Sequence, residues 1–248
     1  MNIDTRIRAT IAGFATVTTL LALLAIGGIG CGGGSGTTTP PISDADAGPP
    51  QITSGPYQPL TIGNSWTYNV DDQGTVYTKQ SAVEAFEDMG GDIAGTMGFR
   101  VRETVKAAIQ LTWYEQTDTD VRRHHDQLAD TSGRQLSDEW YSPYLLRVDE
   151  AAEHLQKGAT WTITYSKTKT TSSKPETMTN QAETWTVDGV DVVTAVPAGT
   201  FNALKVIRTD TADGSTKTQW FTRGVGKIRE VTGQGHTEEL TSYTVAPQ

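Results

Sequence analysis

The chain has 248 residues, with 20 Lys and Arg against 29 Asp and Glu, and a single cysteine, Cys31. A formal charge of −9 argues against a surface built to neutralise nucleic-acid phosphates. One thiol can form neither an intramolecular disulfide nor the paired thiolates of a structural zinc site, so packing and hydrogen bonding must hold the fold. The 40 threonines favour strands over helices, because a β-branched side chain loses rotamer freedom against a helical turn and packs well on a pleated sheet.

Arg6 and Arg8 precede an uncharged stretch, residues 9–30, that ends in Gly28-Ile29-Gly30-Cys31. A short basic segment, an apolar segment and then small residues is the layout of a secretory signal. The stretch is also long enough to cross a bilayer. However, Thr10, Thr16, Thr18 and Thr19 interrupt it, and its Leu/Ala-rich part runs only from Leu20 to Ile26. With its sole cysteine directly after these small residues, the N-terminus resembles a bacterial lipoprotein precursor, although Gly28 stands where that family's box usually carries Leu. The resemblance implies cleavage before Cys31, attachment of lipid (palmitate among the acyl chains) to Cys31, and a mature protein held at the cell envelope. Gly32 rather than Asp follows the cysteine, and the family's sorting pattern then implies the outer rather than the inner membrane. Residues 1–30 are accordingly read as the signal peptide.

Residues 31–56 hold five of the ten prolines and six glycines, and no aromatic residue. Such a segment buries too little apolar area to offset the entropy of ordering it, and reads as a flexible tether. Removing the leader leaves 18 Lys and Arg against 28 Asp and Glu, so the acyl chains rather than charge would hold the protein on an anionic bilayer.

Residues 57–248 read as a single antiparallel β domain. Apolar and polar residues alternate through Trp66–Val70, Thr75–Gln80, Phe99–Arg102, Ile109–Trp113, Thr119–Gln127, Tyr144–Val148, Thr160–Tyr165, Glu183–Val187, Val190–Val196, Leu204–Thr211, Thr216–Phe221, Lys227–Thr232 and Glu239–Val245. Period two with one apolar face is what half-buried antiparallel strands require. So many strands at near-regular spacing predict a large meander, half-barrel or barrel. Two short helices interrupt the pattern. Ser81 and Glu84 have capping-box spacing ahead of a stop at Gly90, and Asp149 can cap Glu150–Lys157. Leu60-x-x-Gly63-x-x-Trp66-Thr67 recurs as Leu155-x-x-Gly158-x-x-Trp161-Thr162, either as one strand-opening device used twice or as the trace of a repeat.

Chemistry-bearing clusters are few. In Arg122-Arg123-His124-His125-Asp126 a regular strand puts His124 and Asp126 on one face and His125 on the other, too few ligands for zinc and with arginines opposing a cation. Asp138-Glu139, Asp149-Glu150 and Glu238-Glu239 could serve as glycosidase carboxylates, but adjacent acids follow from composition alone. No Gly-x-Ser-x-Gly elbow occurs, and Gly224-Val225-Gly226 is followed by Arg229 where a dinucleotide fingerprint needs Gly. No catalytic, cofactor-binding or metal-ligating residue is assigned.

Three stretches, taken in order, carry a second resemblance: Gly63-Asn64-Ser65-Trp66-Thr67-Tyr68, Val196-Pro197-Ala198-Gly199-Thr200-Phe201 with Leu204-Lys205-Val206, and Trp220-Phe221-x-x-Gly224-Val225-Gly226-Lys227-Ile228. Together they resemble a set of uncharacterised bacterial surface lipoproteins, which implies an all-β envelope domain and transfers no activity. The expected function is a non-catalytic, lipid-anchored module that binds an apolar ligand or an envelope partner, the inward aromatics being the motive. The competing class is a periplasmic or surface hydrolase built from scattered acids and His124. A structural or adhesive module is the third.

Overall fold

A computed structural model describes residues 54–171 and 174–246. They form twelve strands: β1 (Ser65–Asp72), β2 (Thr75–Asp88), β3 (Met97–Val105), β4 (Ala108–Gln116), β5 (Asp120–Asp130), β6 (Gln135–Asp149), β7 (Thr160–Thr171), β8 (Lys174–Val196), β9 (Gly199–Asp210), β10 (Thr216–Thr222), β11 (Gly226–Thr232) and β12 (His236–Thr244). Each pairs antiparallel with the next, and β12 pairs back onto β1, closing an up-and-down barrel without a free edge.

The two expected helices are replaced. Residues 81–88 continue β2, because Lys79, Ser81 and Val83 point inward in strand alternation and β3 pairs along the segment, with β1 reaching it at Ser81 and Ala82. Asp149 does not cap a helix over the second segment: it accepts the Ala151 N–H and bonds His154 Nδ1, while Ala151 is the N-cap residue of a single 3-10 turn, Ala152–His154. A second such turn, Gly91–Ile93, joins β2 to β3.

The echo at Leu60 and Leu155 opens two corresponding halves, β1–β6 and β7–β12. Gly63 N–H donates to Val83 O and Val83 N–H to Asn64 O; Gly158 N–H donates to Val187 O and Val187 N–H to Ala159 O. Both glycines have φ near +90°, which an L side chain resists. The correspondence extends round the barrel. Val83, Val101, Thr112, Asp126 and Glu139 lie side by side on β2 to β6, as Val187, Val206, Gln219, Glu230 and Glu238 do on β8 to β12. A register shift follows Trp113 on β4 and Trp220 on β10, and each opens opposite a basic-x-x-acidic pair, Arg123 with Asp126 and Lys227 with Glu230.

One end of the barrel is solid. Trp66, Val83, Val101, Val121, Trp185, Phe221 and Leu240 fill it, and the segment before β1 plugs it with Tyr57 and Leu60. Pro56 O accepts the Gly224 N–H, and Glu150 accepts the Tyr57 N–H, pinning the plug. The β8–β9 hairpin bulges near Gly189 and reaches β12, four strands away, where Ala198 N–H donates to Leu240 O. β11 and β12 pair only over Arg229–Val231 and Thr237–Glu239. Beyond that, Trp66 Nε1 donates to Val225 O and the Tyr68 hydroxyl to Lys227 O, so β1 side chains satisfy carbonyls of β11 and of the turn before it, where burial makes an orphan costly.

The outer wall carries many polar pairs, with scattered exposed apolar side chains such as Val76, Phe86 and Val193. Thr160 faces Thr186 and Thr162 faces Thr184, while Arg100 pairs with Glu84 and Glu87, Lys205 with Asp188, and Arg229 with Glu239.

Candidate functional site: a charged cavity in the barrel lumen

The lumen changes character along its length. Past the apolar fill, toward the hairpin turns that join β1–β2, β9–β10 and β11–β12, it opens into a cavity of about 320 Å³. Six cationic side chains line it (Lys79, Arg123, Arg147, Arg208, Lys217, Lys227) together with four carboxylates (Glu103, Glu183, Glu230, Glu238). A second space of about 290 Å³ shares Glu183, Arg208 and Lys217 with it and continues to Ser215, Thr216 and Gln234 at the rim. The first described residue, Ser54, precedes the plug at the other end, so the chain enters the barrel opposite the cavity.

The inward positions come from strand alternation with charged residues on the apolar parity. In β2 the run is Tyr77, Lys79, Ser81, Val83; in β10 it is Lys217, Gln219, Phe221. Burying such charges is tolerable only when they are paired. Lys227 Nζ lies 2.9 Å from Glu230 and 2.6 Å from Glu238; Lys79 Nζ also lies 2.6 Å from Glu238. Lys217 approaches Glu230 at 3.3 Å, and Arg208 grips Glu183 through two nitrogens. On the far wall Arg123 binds Asp126 at 3.0 Å and donates to the Tyr114 hydroxyl, and Lys169 holds Glu139 at 2.6 Å.

Burial alone would raise the Glu230 and Glu238 pKa values, but Lys227 and its neighbouring cations hold both well below the usual carboxylate range. Burial likewise opposes the Lys227 charge, yet Glu230 and Glu238 overcome it and raise that ammonium. At Lys217 the Glu230 carboxylate favours the charged form, but desolvation and the cations Arg208, Lys227 and Arg123 outweigh it and push the ammonium down. Burial and the Glu183 carboxylate push the Tyr165 hydroxyl up to about 12.

Glu230, His236 and Glu238 bring one ligand atom each within 4.8 Å of one another. The Lys227 and Lys79 ammonium groups already supply the positive charge there, so the cluster reads as an ion-pair network.

The basic-histidine cluster is arranged otherwise than regular alternation implies. β5 carries an extra residue, His124, between Arg123 and His125 relative to β4, and β6 in turn sets residues 141–144 against that one position. The bulge keeps Arg123 and Asp126 inside together and turns both histidines to the outer wall. His124 bonds Glu115 at 3.0 Å, and His125 bonds Asp138 at 2.7 Å while stacked between Trp113 and Trp140. His124 is therefore not gathered with lumenal carboxylates. The pleat separates two adjacent acid pairs: Asp138 faces out and Glu139 in, Glu239 out and Glu238 in. Glu150 is spent on the plug. Gly224 and Gly226 both have positive φ and set the turn into β11, where Val225 is buried. Cys31 lies outside the described residues.

Sequence reasoning missed Lys79, Arg147, Arg208, Lys217 and Lys227. For Lys79 and Lys217 the signal was present, as charges in phase with inward apolar residues. Comparison with protein-family models, with curated proteins and with solved structures finds no match.

Proposed function

We propose that the protein is a lipid-anchored cell-envelope protein, at the outer membrane, whose barrel is a non-catalytic binding module with the open half of the lumen as its receptacle. The observation that carries this reading is a lumen plugged at one end and cavitated at the other. The leader and Cys31 support the anchor, since signal layout and a cysteine after small residues coincide. The outer wall supports a barrel standing in water. A barrel in lipid needs an apolar outer band, and threonine ladders with Arg–Glu pairs do not supply one. Of the tryptophans that motivated an apolar ligand, Trp66 and Trp185 fill the plugged half, while Trp113 stacks on His125 and Trp220 lies under Lys205 and Arg229 on the outer wall, so what the receptacle offers is charge. The hydrolase reading draws no support from His124 on the outer wall.

Two measurements test the proposal. Intact mass and membrane fractionation should show an acylated, membrane-bound wild type and an unacylated, released Cys31→Ser variant; unchanged mass and association would sink the anchor. Native mass spectrometry of the full chain extracted from membranes should show a non-covalent adduct that disappears in Val105→Trp, which fills the cavity. A wild type without any adduct would remove the receptacle.

A further inference from the structure

We infer that the receptacle takes a small anion bearing a carboxylate or phosphate group, and that Arg147 is the side chain that pairs with it. This inference rests on the receptacle reading and names its ligand class.

The charges in the cavity do not balance, and the imbalance is localised. Each lining carboxylate already has a cation: Glu103 has Lys79 at 3.8 Å, Glu183 has Arg208, Glu230 has Lys227 and Lys217, and Glu238 has Lys79 and Lys227. A cationic ligand or a metal ion would have to displace an ammonium or guanidinium group. Of the six lining cations, five have a carboxylate: the four above and Arg123, held by Asp126. Arg147 has none among the described residues. Its guanidinium lies over the Phe221 ring, 5.4 Å from the centroid, at the boundary between the apolar fill and the cavity. The unmet charge in the lumen is therefore positive, in a chain whose net charge is −9.

The chemistry of the unpaired group sets the ligand class. A guanidinium presents planar, forked N–H donors that match two oxygens of a carboxylate or phosphate, and it is weakly hydrated, so partial burial costs it less than it would an ammonium. The aromatic ring beneath it holds the plane without using any donor. Lys217, 41 % accessible and paired with Glu230, lies on the way from the rim. The space sets the size: 320 Å³ corresponds to about ten water molecules, enough for a small organic acid or a phosphorylated fragment of that bulk.

The test uses the full chain in detergent and isothermal titration with four probes: inorganic phosphate, succinate, glucose and putrescine. Phosphate or succinate should bind, and glucose and putrescine should not; which anion binds distinguishes phosphate from carboxylate recognition. Arg147→Gln should weaken the binding anion at least tenfold. Arg147→Lys, which keeps the charge and loses the fork, should fall between the two. Arg134→Gln, an exposed change on the β5–β6 turn, should leave binding unaltered, and thermal melts establish that the variants are folded. Binding of neither anion, or equal affinity in wild type and Arg147→Gln, would overturn the inference. If the co-purified adduct is still displaced by Val105→Trp in that case, the receptacle stands and only its ligand class is wrong. If no adduct is found either, both fall.

Discussion

At the scale of single residues, the Lys227 ammonium decides whether two buried carboxylates can stay ionised 2.6–2.9 Å from it. Removing one partner of a buried network leaves uncompensated charge, which typically costs about 3–5 kcal/mol. Lys227→Met should therefore lower the melting temperature clearly at pH 7. The pH dependence has a definite sign. In the wild type the Glu230 and Glu238 pKa values are depressed below 4.5, so their contribution is complete above that value and is lost as pH falls through the lower folded values. In Lys227→Met burial dominates and the carboxylates favour protonation, so the deficit against wild type should shrink between pH 7 and pH 4. A deficit constant over that range would refute this account. His236 moves the other way: its bond to Glu238 raises its pKa above 6.5. Its contribution is present below 6.5 and is lost as pH rises through the higher folded value, so His236→Gln should flatten the stability slope on the alkaline side of 6.5.

At the scale of elements, the two strand-opening turns and the wall between β11 and β12 carry the predictions. Gly63 and Gly158 share a positive φ and have open space where a Cβ would go, so only backbone conformation opposes substitution. Gly63→Ala and Gly158→Ala should each cost about 1 kcal/mol, in similar measure. Gly91 differs: a Cβ there would sit 2.6 Å from the Trp140 ring, adding a clash to a φ of +56°. Gly91→Ala should cost more than either, about 1–3 kcal/mol, with loss of the His125–Trp140 stack visible in near-ultraviolet circular dichroism. Denaturant melts of the three variants give the comparison directly. These differences were legible only in part. A turn glycine before a strand follows from Leu-x-x-Gly-x-x-Trp-Thr, but the equality of the two turns depends on their bonds to Val83 and Val187, residues of later strands. The bulge in β5 was not legible at all. Arg122-Arg123-His124-His125-Asp126 is compatible with either face, and only the unequal pairing with β4 and β6 selects the arrangement that puts Arg123 beside Asp126.

At the scale of the whole molecule, closure is the device that makes this barrel workable. β12 completes the ladder of β1 and supplies Glu238 and Leu240 to the interior. Deleting residues 236–248 would expose the edges of β1 and β11 and leave Lys79 and Lys227 short of a carboxylate, and should yield an aggregated or unfolded chain by size-exclusion chromatography. A soluble, folded product would show that closure is dispensable. Closure also separates the two tasks of the lumen. The half nearest the plug is filled with aromatic and aliphatic side chains and supplies the apolar burial that a chain without disulfides needs, while the other half is left open and charged.

By itself, the sequence determined that the protein is all-β and antiparallel, because a period of two is a local property of each strand and survives in any arrangement of them. It also marked turns at Gly63, Gly158 and Gly224, but not that β2 runs on through residues 81–88 or that residues 183–187 and 190–196 belong to one strand, β8. Tertiary structure alone decided that the sheet closes after twelve strands, that the register shifts after Val83 and Trp113 recur after Val187 and Trp220, and that charges meet inside. Those features are set by pairing between residues far apart in the chain, most widely between Ser65 and Thr244, and a pattern confined to neighbours carries no record of them.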